Sequence, residues 1–209
     1  KNGESGKSEC WYVLDCKPRS EIILGHNAKS KEEFLQLVRE QRWDDLLVRL
    51  PVQAGDFFYI PCGAVHALGK GLTLLEVQQN SDITYRIYDY DRQGLDGNKR
   101  QLHIDKAVDV ISFGSAISGT EPFTVEEENI VKTVLLDCSD FVVEKWEING
   151  LFKPKPFNRF LSLSIVDGEA KINYGGEEIT VTTGSSILIP AGMGGYEIDG
   201  NIIAIVSYV

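Results

Sequence analysis

The sequence lacks paired cysteines. Its four cysteines, Cys10, Cys16, Cys62 and Cys138, include no C-x-x-C pair. Zinc ribbons and thioredoxin-type redox centres are built on such pairs, so the spacing argues against both classes of site. Isolated thiols are typical of reduced proteins, and we therefore predict free thiols and a cytoplasmic location.

Long apolar runs and an excess of basic residues are also absent. No stretch approaches the roughly 20 apolar residues that span a bilayer, and no secretory signal opens the chain. The chain has 21 Lys and Arg against 31 Asp and Glu, which gives a net charge of -10. Nucleic acids need basic protein surface, so neither they nor a membrane is an expected partner. A few local cations still suffice to hold an anionic small molecule in a pocket.

An initiating methionine is missing as well. The chain begins KNGESGKSE and almost at once enters a predicted strand. We expect from this a fragment or a processed product. With 209 residues, of which 43% are hydrophobic and 25% charged, the chain has an ordinary globular composition and can form one large domain or two small ones.

Short strands separated by turns dominate what is present. Alternating apolar and polar residues predict strands in both halves, and among them are ECWYVLDC (9–16), LTLLEVQQ (72–79) and ITYRIYDYDR (83–92). A helix is predicted to start at Ser30, with Glu33 completing a capping box, and to bury Phe34, Leu37 and Val38. A second helix is predicted in HIDKAVDVISF (103–113).

The chain contains an internal repeat. The segment GDFFYIPCGAVH (55–66) aligns without gaps with GSSILIPAGMGG (184–195), at an offset of 129 residues. Both copies share a glycine, a proline and a second glycine at the same spacing, but the partner of His66 is Gly195. Because the strand pattern recurs around both copies, we predict two copies of one β-architecture.

The first copy matches a known motif. Gly55, Pro61, Gly63 and His66 fit the second sequence motif of the cupins, G-x5-P-x-G-x2-H, with Lys70 at the position where asparagine is usual. Cupins are antiparallel jelly-roll barrels. The resemblance implies two jelly-roll cupin barrels in tandem, with a small helical insertion in the first and a helix between them. The predicted parts are a first barrel at 1–114, a linker at 115–129 and a second barrel without metal ligands at 130–209.

His66 and Glu9 are the candidate metal ligands. An imidazole and a carboxylate suit zinc or another divalent first-row metal. Two protein ligands are fewer than the three that a catalytic zinc site normally has. The stretch that contains His66 is, by itself, equally compatible with a metal ligand and with a half-buried histidine that binds no metal. His26 and His103 are interpreted as surface or capping residues.

Two basic residues are candidates for binding an anion. Arg86 offers planar donors that can hold a phosphate or stabilise an oxyanion, and its alternative is a salt bridge to Asp82, Asp89 or Glu76. Lys7 stands two residues before Glu9 and could add a cation at the same pocket, unless it is a solvated terminal lysine.

Four segments together resemble the type I mannose-6-phosphate isomerases, and most closely the short bacterial form. They are GKSECW, IPCGAVHAL, LLEVQQNSDITYRIYDYDR and RQLHIDKAVDVI, and the resemblance covers essentially all 209 residues. It implies an aldose–ketose isomerase that converts mannose 6-phosphate to fructose 6-phosphate through a cis-enediolate, with one zinc ion per chain and a sugar phosphate as its partner.

The resemblance also implies roles for individual residues. Glu9 and His66 match two of the family's zinc ligands, and Arg86 matches its active-site arginine. Glu76 falls near a pocket glutamate, and Glu76 and Lys7 are the two candidates for the catalytic base. Lys7 matches an active-site lysine, and Asp82 the aspartate of an S-D pair, so both are predicted to bind substrate.

The chain departs from the family in one respect. The family's further zinc ligands come from an upstream Q-x-H-P segment, and this segment does not occur in the sequence. We therefore expect the chain to correspond to the C-terminal part of the enzyme. A non-catalytic sugar- or metal-binding protein with two cupin units, or an inactive portion of the isomerase, is the alternative. An iron-dependent cupin oxygenase is disfavoured because the chain has only three histidines.

Overall fold

The chain folds into two compact units, residues 1–118 and 119–209. The structure is a computed structural model that describes residues 6–90, 92–93, 97–114 and 121–209. Strands dominate both units, so the predicted mainly β class is confirmed. Among the described residues, no helix is long and apolar enough to cross a membrane.

The first unit contains two small antiparallel sheets. One has the strand order β4-β1-β6 and the other β3-β2-β5. Glu9 lies in the first sheet, on β1, and His66 in the second, on β5. The elements in chain order are β1 (Glu9–Cys16), β2 (Glu21–His26), α1 (Lys31–Arg39), α2 (Trp43–Leu46), β3 (Leu47–Pro51), β4 (Phe57–Ile60), β5 (His66–Leu68), β6 (Leu72–Gln78) and α3 (Ile104–Val108).

The second unit is built on one antiparallel sheet. Its strand order is β11-β10-β13-β9-β8-β7, and β12 pairs additionally with β10. The described strands pair into open sheets in both units. The predicted jelly-roll barrels are therefore not closed by hydrogen bonds between these strands. The elements are β7 (Phe123–Glu127), β8 (Ile130–Asp137), β9 (Val142–Phe152), β10 (Leu161–Tyr174), β11 (Glu177–Thr182), β12 (Ser186–Ile189) and β13 (Glu197–Tyr208).

The predicted linker at 115–129 contains a strand. Strand β7 pairs with β8, and Val125 stands opposite Lys132. Every residue of β7 is exposed, which explains why its sequence is as polar and acidic as a linker. Residues 115–120 of the predicted linker lie outside the described residues.

The strand pairing of one unit repeats in the other. In the first unit β1 pairs with β4, and β2 with β3. In the second, the long strand β10 pairs with β12 through its first part and with β11 through its second. Glu9 on β1 stands opposite Ile60, and Leu161 on β10 stands opposite Ile189. Since Ile60 and Ile189 each precede the proline of the repeated turn, Leu161 occupies the place of Glu9.

Backbone hydrogen bonds of the turns confirm this correspondence. The Gly55 N–H donates to the carbonyl of Val13 at 2.8 Å, and the Gly184 N–H to that of Ile165 at 2.9 Å. Both glycines have φ 91°. A strand irregularity follows Val13 on β1 and Ile165 on β10 alike. The repeat inferred from G-x5-P-x-G is therefore a repeat of backbone structure.

The helical insertion lies inside the first copy. Pro61 follows Glu9 by 52 positions, whereas Pro190 follows Leu161 by 29, so the first unit is 23 residues longer here. Helices α1 and α2 lie in this stretch. The Ser30 side chain caps α1 by accepting from the Glu33 N–H at 3.2 Å, as predicted. The predicted helix at 103–113 is shorter than expected, because α3 ends at Val108.

Gly63 and Gly192 occupy the same turn position but differ in their surroundings. Both have a positive φ, 84° and 69°. A Cβ at Gly63 would lie 2.5 Å from the Val110 carbonyl oxygen, whereas a Cβ at Gly192 would meet no atom within 4 Å. Both alanine variants therefore carry a left-handed strain of about 1–2 kcal/mol, but only Gly63→Ala adds a backbone clash, of about 1–3 kcal/mol by analogy with overpacking.

We expect Gly63→Ala to lower the free energy of unfolding by more than Gly192→Ala does. Urea unfolding followed by far-UV circular dichroism measures both changes. If the free energy of unfolding fell equally in the two variants, the close contact with the Val110 carbonyl oxygen would not destabilise Gly63→Ala.

Candidate functional site

A turn and two strands bring Glu9 and His66 together. The Ala64 N–H donates to the Pro61 carbonyl at 3.0 Å and closes the turn that leads into β5. His66 begins β5 and stands opposite Leu24 of β2. Its Nε2 lies 3.0 Å from the Glu9 Oε1. The two predicted metal ligands are thus in direct contact.

The imidazole of His66 is held in a fixed orientation. Its Nδ1 lies 2.9 Å from the Ala64 carbonyl oxygen, which can only accept, so this nitrogen carries a proton. The Trp11 ring packs edge-on against it, with centroids 5.6 Å apart. The His66 side chain is 32% exposed, whereas that of Glu9 is 2% exposed. A ligand can therefore approach Nε2 from the side of the histidine.

Lys7 and Gln78 complete this polar cluster. The Lys7 Nζ lies 2.5 Å from the Glu9 Oε2 and donates to the Gln78 Oε1 at 2.7 Å. Gln78 stands directly opposite Glu9 on β6. Despite the short ion pair, the buried Oε2 of Glu9 accepts no hydrogen bond of suitable direction. One oxygen of a buried carboxylate is therefore incompletely satisfied.

The electrostatics favour the charged forms of both groups. Burial raises the pKa of Glu9, but the hydrogen bond with His66 and the positive charges of His66 and Lys7 outweigh it and bring the pKa below its usual value. Burial lowers the pKa of His66, but the hydrogen bond to Glu9 outweighs it and raises the pKa overall. The contact between the two side chains therefore stabilises the charged form of each.

Glu76 lies two residues from Gln78 on the same strand. Its Oε2 accepts from the Trp11 Nε1–H at 2.8 Å, and Glu76 is paired in register with Trp11. The side chain is exposed on β6. Because one oxygen is held by the indole, the other remains available to a ligand.

Arg86 is not on a strand, and the prediction that 83–92 forms one is wrong. The backbone of Arg86 pairs with His103 instead: its N–H donates to the His103 Nδ1 at 3.2 Å, and its carbonyl accepts from the His103 N–H at 2.7 Å. The alternation of ITYRIYDYDR has no neighbouring strand to pair with among the described residues. Among the described residues, Arg86 makes no ion pair. The predicted alternative, a salt bridge to Asp82, Asp89 or Glu76, is therefore not found among them.

Asp82 is also in this loop and is exposed. The structure thus joins Lys7, Glu9 and His66 directly, and leaves Arg86 and Asp82 on a separate segment. No group of three or more His, Cys, Asp or Glu side chains suited to a metal occurs among the described residues. His26 is partly buried and packs edge-on against Phe34 at 5.2 Å between ring centroids.

Asp89 anchors the loop that carries Arg86. Its buried carboxylate accepts from the Arg100 guanidinium through both oxygens, at 2.7 Å from Nε to Oδ2, and from the Arg92 guanidinium at 3.0 Å. The hydrogen bond from Arg100, together with that from Arg92, lowers the pKa of Asp89 to about 2. In an unfolded chain the pKa of aspartate is about 3.9.

We expect Asp89 to make the protein less stable at acidic pH. A lowered folded-state pKa contributes stability above the unfolded pKa, and this is lost as the pH falls from about 4 towards 2. Asp89→Asn should lower the unfolding temperature at pH 7 and flatten its decline below pH 4. The exposed Asp105→Asn on α3 is the matched control. A decline of unchanged steepness in Asp89→Asn would contradict the assignment.

Sequence reasoning did not select Gln78 or Trp11. Gln78 binds Lys7, and Trp11 binds Glu76 and packs on His66. The sequence feature that points to Gln78 is the alternation of side chains along β6, which puts Glu76 and Gln78 on one face of the strand. Only the register, which pairs Glu9 with Gln78, shows that this face belongs to the site.

A family model and curated relatives match the chain. Residues 131–209 match the model described as mannose-6-phosphate isomerase, cupin domain. The chain is 42% identical over 208 residues to mannose-6-phosphate isomerase ManA of Bacillus subtilis, and 42% identical over 206 residues to mannose-6-phosphate isomerase of Streptococcus mutans. These alignments cover 100% and 99% of this chain, but the chain spans only 66% and 65% of the length of these relatives.

Solved structures agree with the sequence matches. The crystal structure of the Bacillus subtilis mannose 6-phosphate isomerase superposes with a TM-score of 0.94 at 38% identity, covering 99% of this chain and 66% of that one. Phosphomannose isomerase from Salmonella typhimurium, at 15% identity and a TM-score of 0.72 over 97% of this chain and 66% of that one, shares the fold. The sequence and structural matches together show that the chain belongs to the mannose-6-phosphate isomerase family.

Proposed function

We propose that the chain forms the catalytic part of an aldose–ketose isomerase that interconverts mannose 6-phosphate and fructose 6-phosphate in the cytoplasm. The observation that carries the proposal is the contact of His66 with a buried Glu9, next to Lys7, in a chain 42% identical to relatives named for this reaction. Because the chain spans 66% of such a relative, the reaction is proposed for the protein to which the chain contributes these residues.

The reaction moves one proton between neighbouring carbons. A base removes the proton from C2 of the aldose, the C–H electron pair forms the C1–C2 double bond, and the C1 carbonyl oxygen takes up a proton. The cis-enediol formed in this way loses the proton of its C2 oxygen to give a cis-enediolate, which gains a proton at C1 and becomes the ketose. The chemistry needs a base near C1 and C2, and positive charge near the two oxygens.

The donor set suits a zinc ion, which we propose as the cofactor. The His66 Nε2 and the incompletely satisfied Oε2 of Glu9 are zinc ligands of the usual types. When bound there, the metal would act as a Lewis acid on the sugar oxygens. Ligands beyond Glu9 and His66 are required, since the described residues offer no third His, Cys, Asp or Glu side chain in the cluster. Another divalent metal would use the same two groups.

The remaining predicted residues have defined tasks in this proposal. Glu76 is the candidate base, since its carboxylate is oriented by Trp11 through one oxygen only. Arg86, free of an ion pair in the described part of the chain, stabilises the enediolate or the phosphate charge. Lys7 and Asp82 bind substrate, Lys7 through the cation that it places beside Glu9.

Incorporation of solvent deuterium tests the reaction. Mannose 6-phosphate incubated with the protein and zinc in heavy water should yield fructose 6-phosphate with deuterium at C1. Proton NMR measures this as a loss of signal from the C1 protons of the product. Conversion without any exchange would mean that the migrating hydrogen never equilibrates with solvent, which would contradict the role of the exposed Glu76 as the base.

A second candidate function is sugar or metal binding without turnover. The presence of only two metal-ligating side chains in the described cluster favours it. Isothermal titration with zinc and with mannose 6-phosphate separates the two functions. Binding of the sugar phosphate by a protein that shows neither conversion nor deuterium exchange would support the second.

A further inference from the structure

The second unit contains an aromatic pocket of about 230 Å³. Two pairs of rings form much of its wall. Phe157 meets Tyr208 edge-on with centroids 5.1 Å apart, and Trp146 meets Phe152 in the same way at 5.9 Å. Phe157 is 38% exposed and stands at the rim. All the lining residues belong to the second unit.

The repeat places this pocket where the first unit has its polar cluster. Leu161 lines the pocket and holds the register position of Glu9. On the other side of Glu9 stands Gln78, whereas the end of β13 brings Tyr208 to the corresponding place beside Leu161. A leucine and a tyrosine thus replace a carboxylate and an amide, so the pocket keeps its position but loses the donors for a metal.

One carboxylate in the pocket is fixed by the aromatic side chains. The Glu144 Oε2 accepts from the Trp146 Nε1–H at 2.6 Å, and its Oε1 accepts from the Tyr208 hydroxyl at 2.8 Å. Burial, followed by the hydrogen bond to Glu144, raises the pKa of Tyr208, so the phenol remains a donor. Glu144 therefore presents two oriented oxygens whose remaining lone pairs can accept from hydroxyl groups.

Cations surround the same pocket. The Lys132 Nζ lies 5.2 Å from the centroid of the Trp146 ring and 5.3 Å from that of Phe152. Its ion pair with Glu127 is long, at 3.6 Å. Lys155 also lines the pocket and makes no ion pair within the described ranges. Three lysines and two glutamates line the pocket, so its lining carries a net charge of +1, and Lys132 and Lys155 are the cations placed to meet an anionic group.

We propose that this pocket binds a monosaccharide that carries an anionic group, without a metal ion. Its volume is below the roughly 300–1,000 Å³ of pockets for drug-sized ligands, and suits a single sugar ring. The aromatic faces carry negative charge density and attract the C–H face of such a ring. Glu144 accepts from the hydroxyl groups, and Lys132 and Lys155 bind the anion. The proposal stands apart from the isomerase reaction, because it uses residues of the second unit only.

Titration with glucose 6-phosphate tests the proposal. Binding is measured by isothermal titration calorimetry and by the fluorescence of Trp146, the only tryptophan beyond residue 118. We expect Lys132→Met to weaken binding by at least about 10-fold, the size of one charge-assisted contact of about 1.5–3 kcal/mol. Phe157→Ala, which truncates an exposed rim residue, should also weaken it. Lys171→Met, which removes a lysine of β10 that does not line the pocket, should leave the affinity unchanged.

Further ligands separate the parts of the proposal. Glucuronate tests whether a carboxylate replaces the phosphate, and comparable affinity supports the anionic class as a whole. Glucose that binds as tightly as glucose 6-phosphate would overturn the role of the lysines, and inorganic phosphate that does so would overturn the role of the sugar ring. The site itself is overturned by a lack of binding at millimolar concentration, or by binding that His66→Ala removes and Lys132→Met preserves.

Discussion

Arg86→Ala is expected to lower kcat/KM for mannose 6-phosphate by about 100-fold or more, while the protein stays folded. Removing one preorganised group that stabilises an oxyanion typically costs about 10²–10³ in rate. The side chain makes no ion pair among the described residues, and its backbone is held by His103, so the loop loses no charge contact. Steady-state kinetics and thermal unfolding measure the two quantities.

Two variants give this prediction its controls. Arg39→Ala removes an arginine of the same charge from the last turn of α1 and should leave both kinetics and unfolding unchanged. Arg86→Lys keeps the charge but loses the planar donors, so it should recover only part of the activity. Undiminished turnover in Arg86→Ala would exclude the assigned role.

Zinc retention is expected to depend on Glu9 and His66. His66→Ala and Glu9→Gln should each reduce zinc bound after dialysis from about one ion per chain to a small fraction, and turnover should fall with it. Removing a group that only hydrogen-bonds to a metal ligand lowers the affinity for the metal by about 10–100-fold, and removing a ligand itself lowers it at least as much. Inductively coupled plasma mass spectrometry gives the metal content directly.

Cys62→Ser is the matched control for the metal prediction. Cys62 is an exposed thiol in the same turn as His66, so it tests whether a thiolate in the turn contributes to binding. The variant should keep its zinc. If zinc stays at one per chain in both His66→Ala and Glu9→Gln, the metal is bound elsewhere and the cluster is an ion pair only.

Much of the first unit could be predicted because local chemistry decides it. The cap at Ser30 and the three buried residues of α1 follow from the helical period. The turn at Pro61 and Gly63 follows from residues that restrict or extend the allowed φ, and its repetition at Pro190 indicated the second copy. Glu9 and His66 were identified by residue type and motif.

The errors came from partners that a single segment does not specify. The stretch 83–92 alternates like a strand, yet its backbone bonds at Arg86 go to His103, and alternation alone cannot show a missing neighbour. The strand at Phe123–Glu127 was not predicted, because an exposed edge strand can be as polar as a loop. The pocket around Trp146 depends on side chains from β8, β9 and β13, which only the sheet order brings together.

The division of the first unit into two sheets has a mechanical consequence. Glu9 belongs to the sheet β4-β1-β6 and His66 to the sheet β3-β2-β5. The 3.0 Å contact between the Glu9 Oε1 and the His66 Nε2 therefore joins one sheet to the other through side chains. Replacing either side chain removes this link between the sheets as well as a proposed metal ligand.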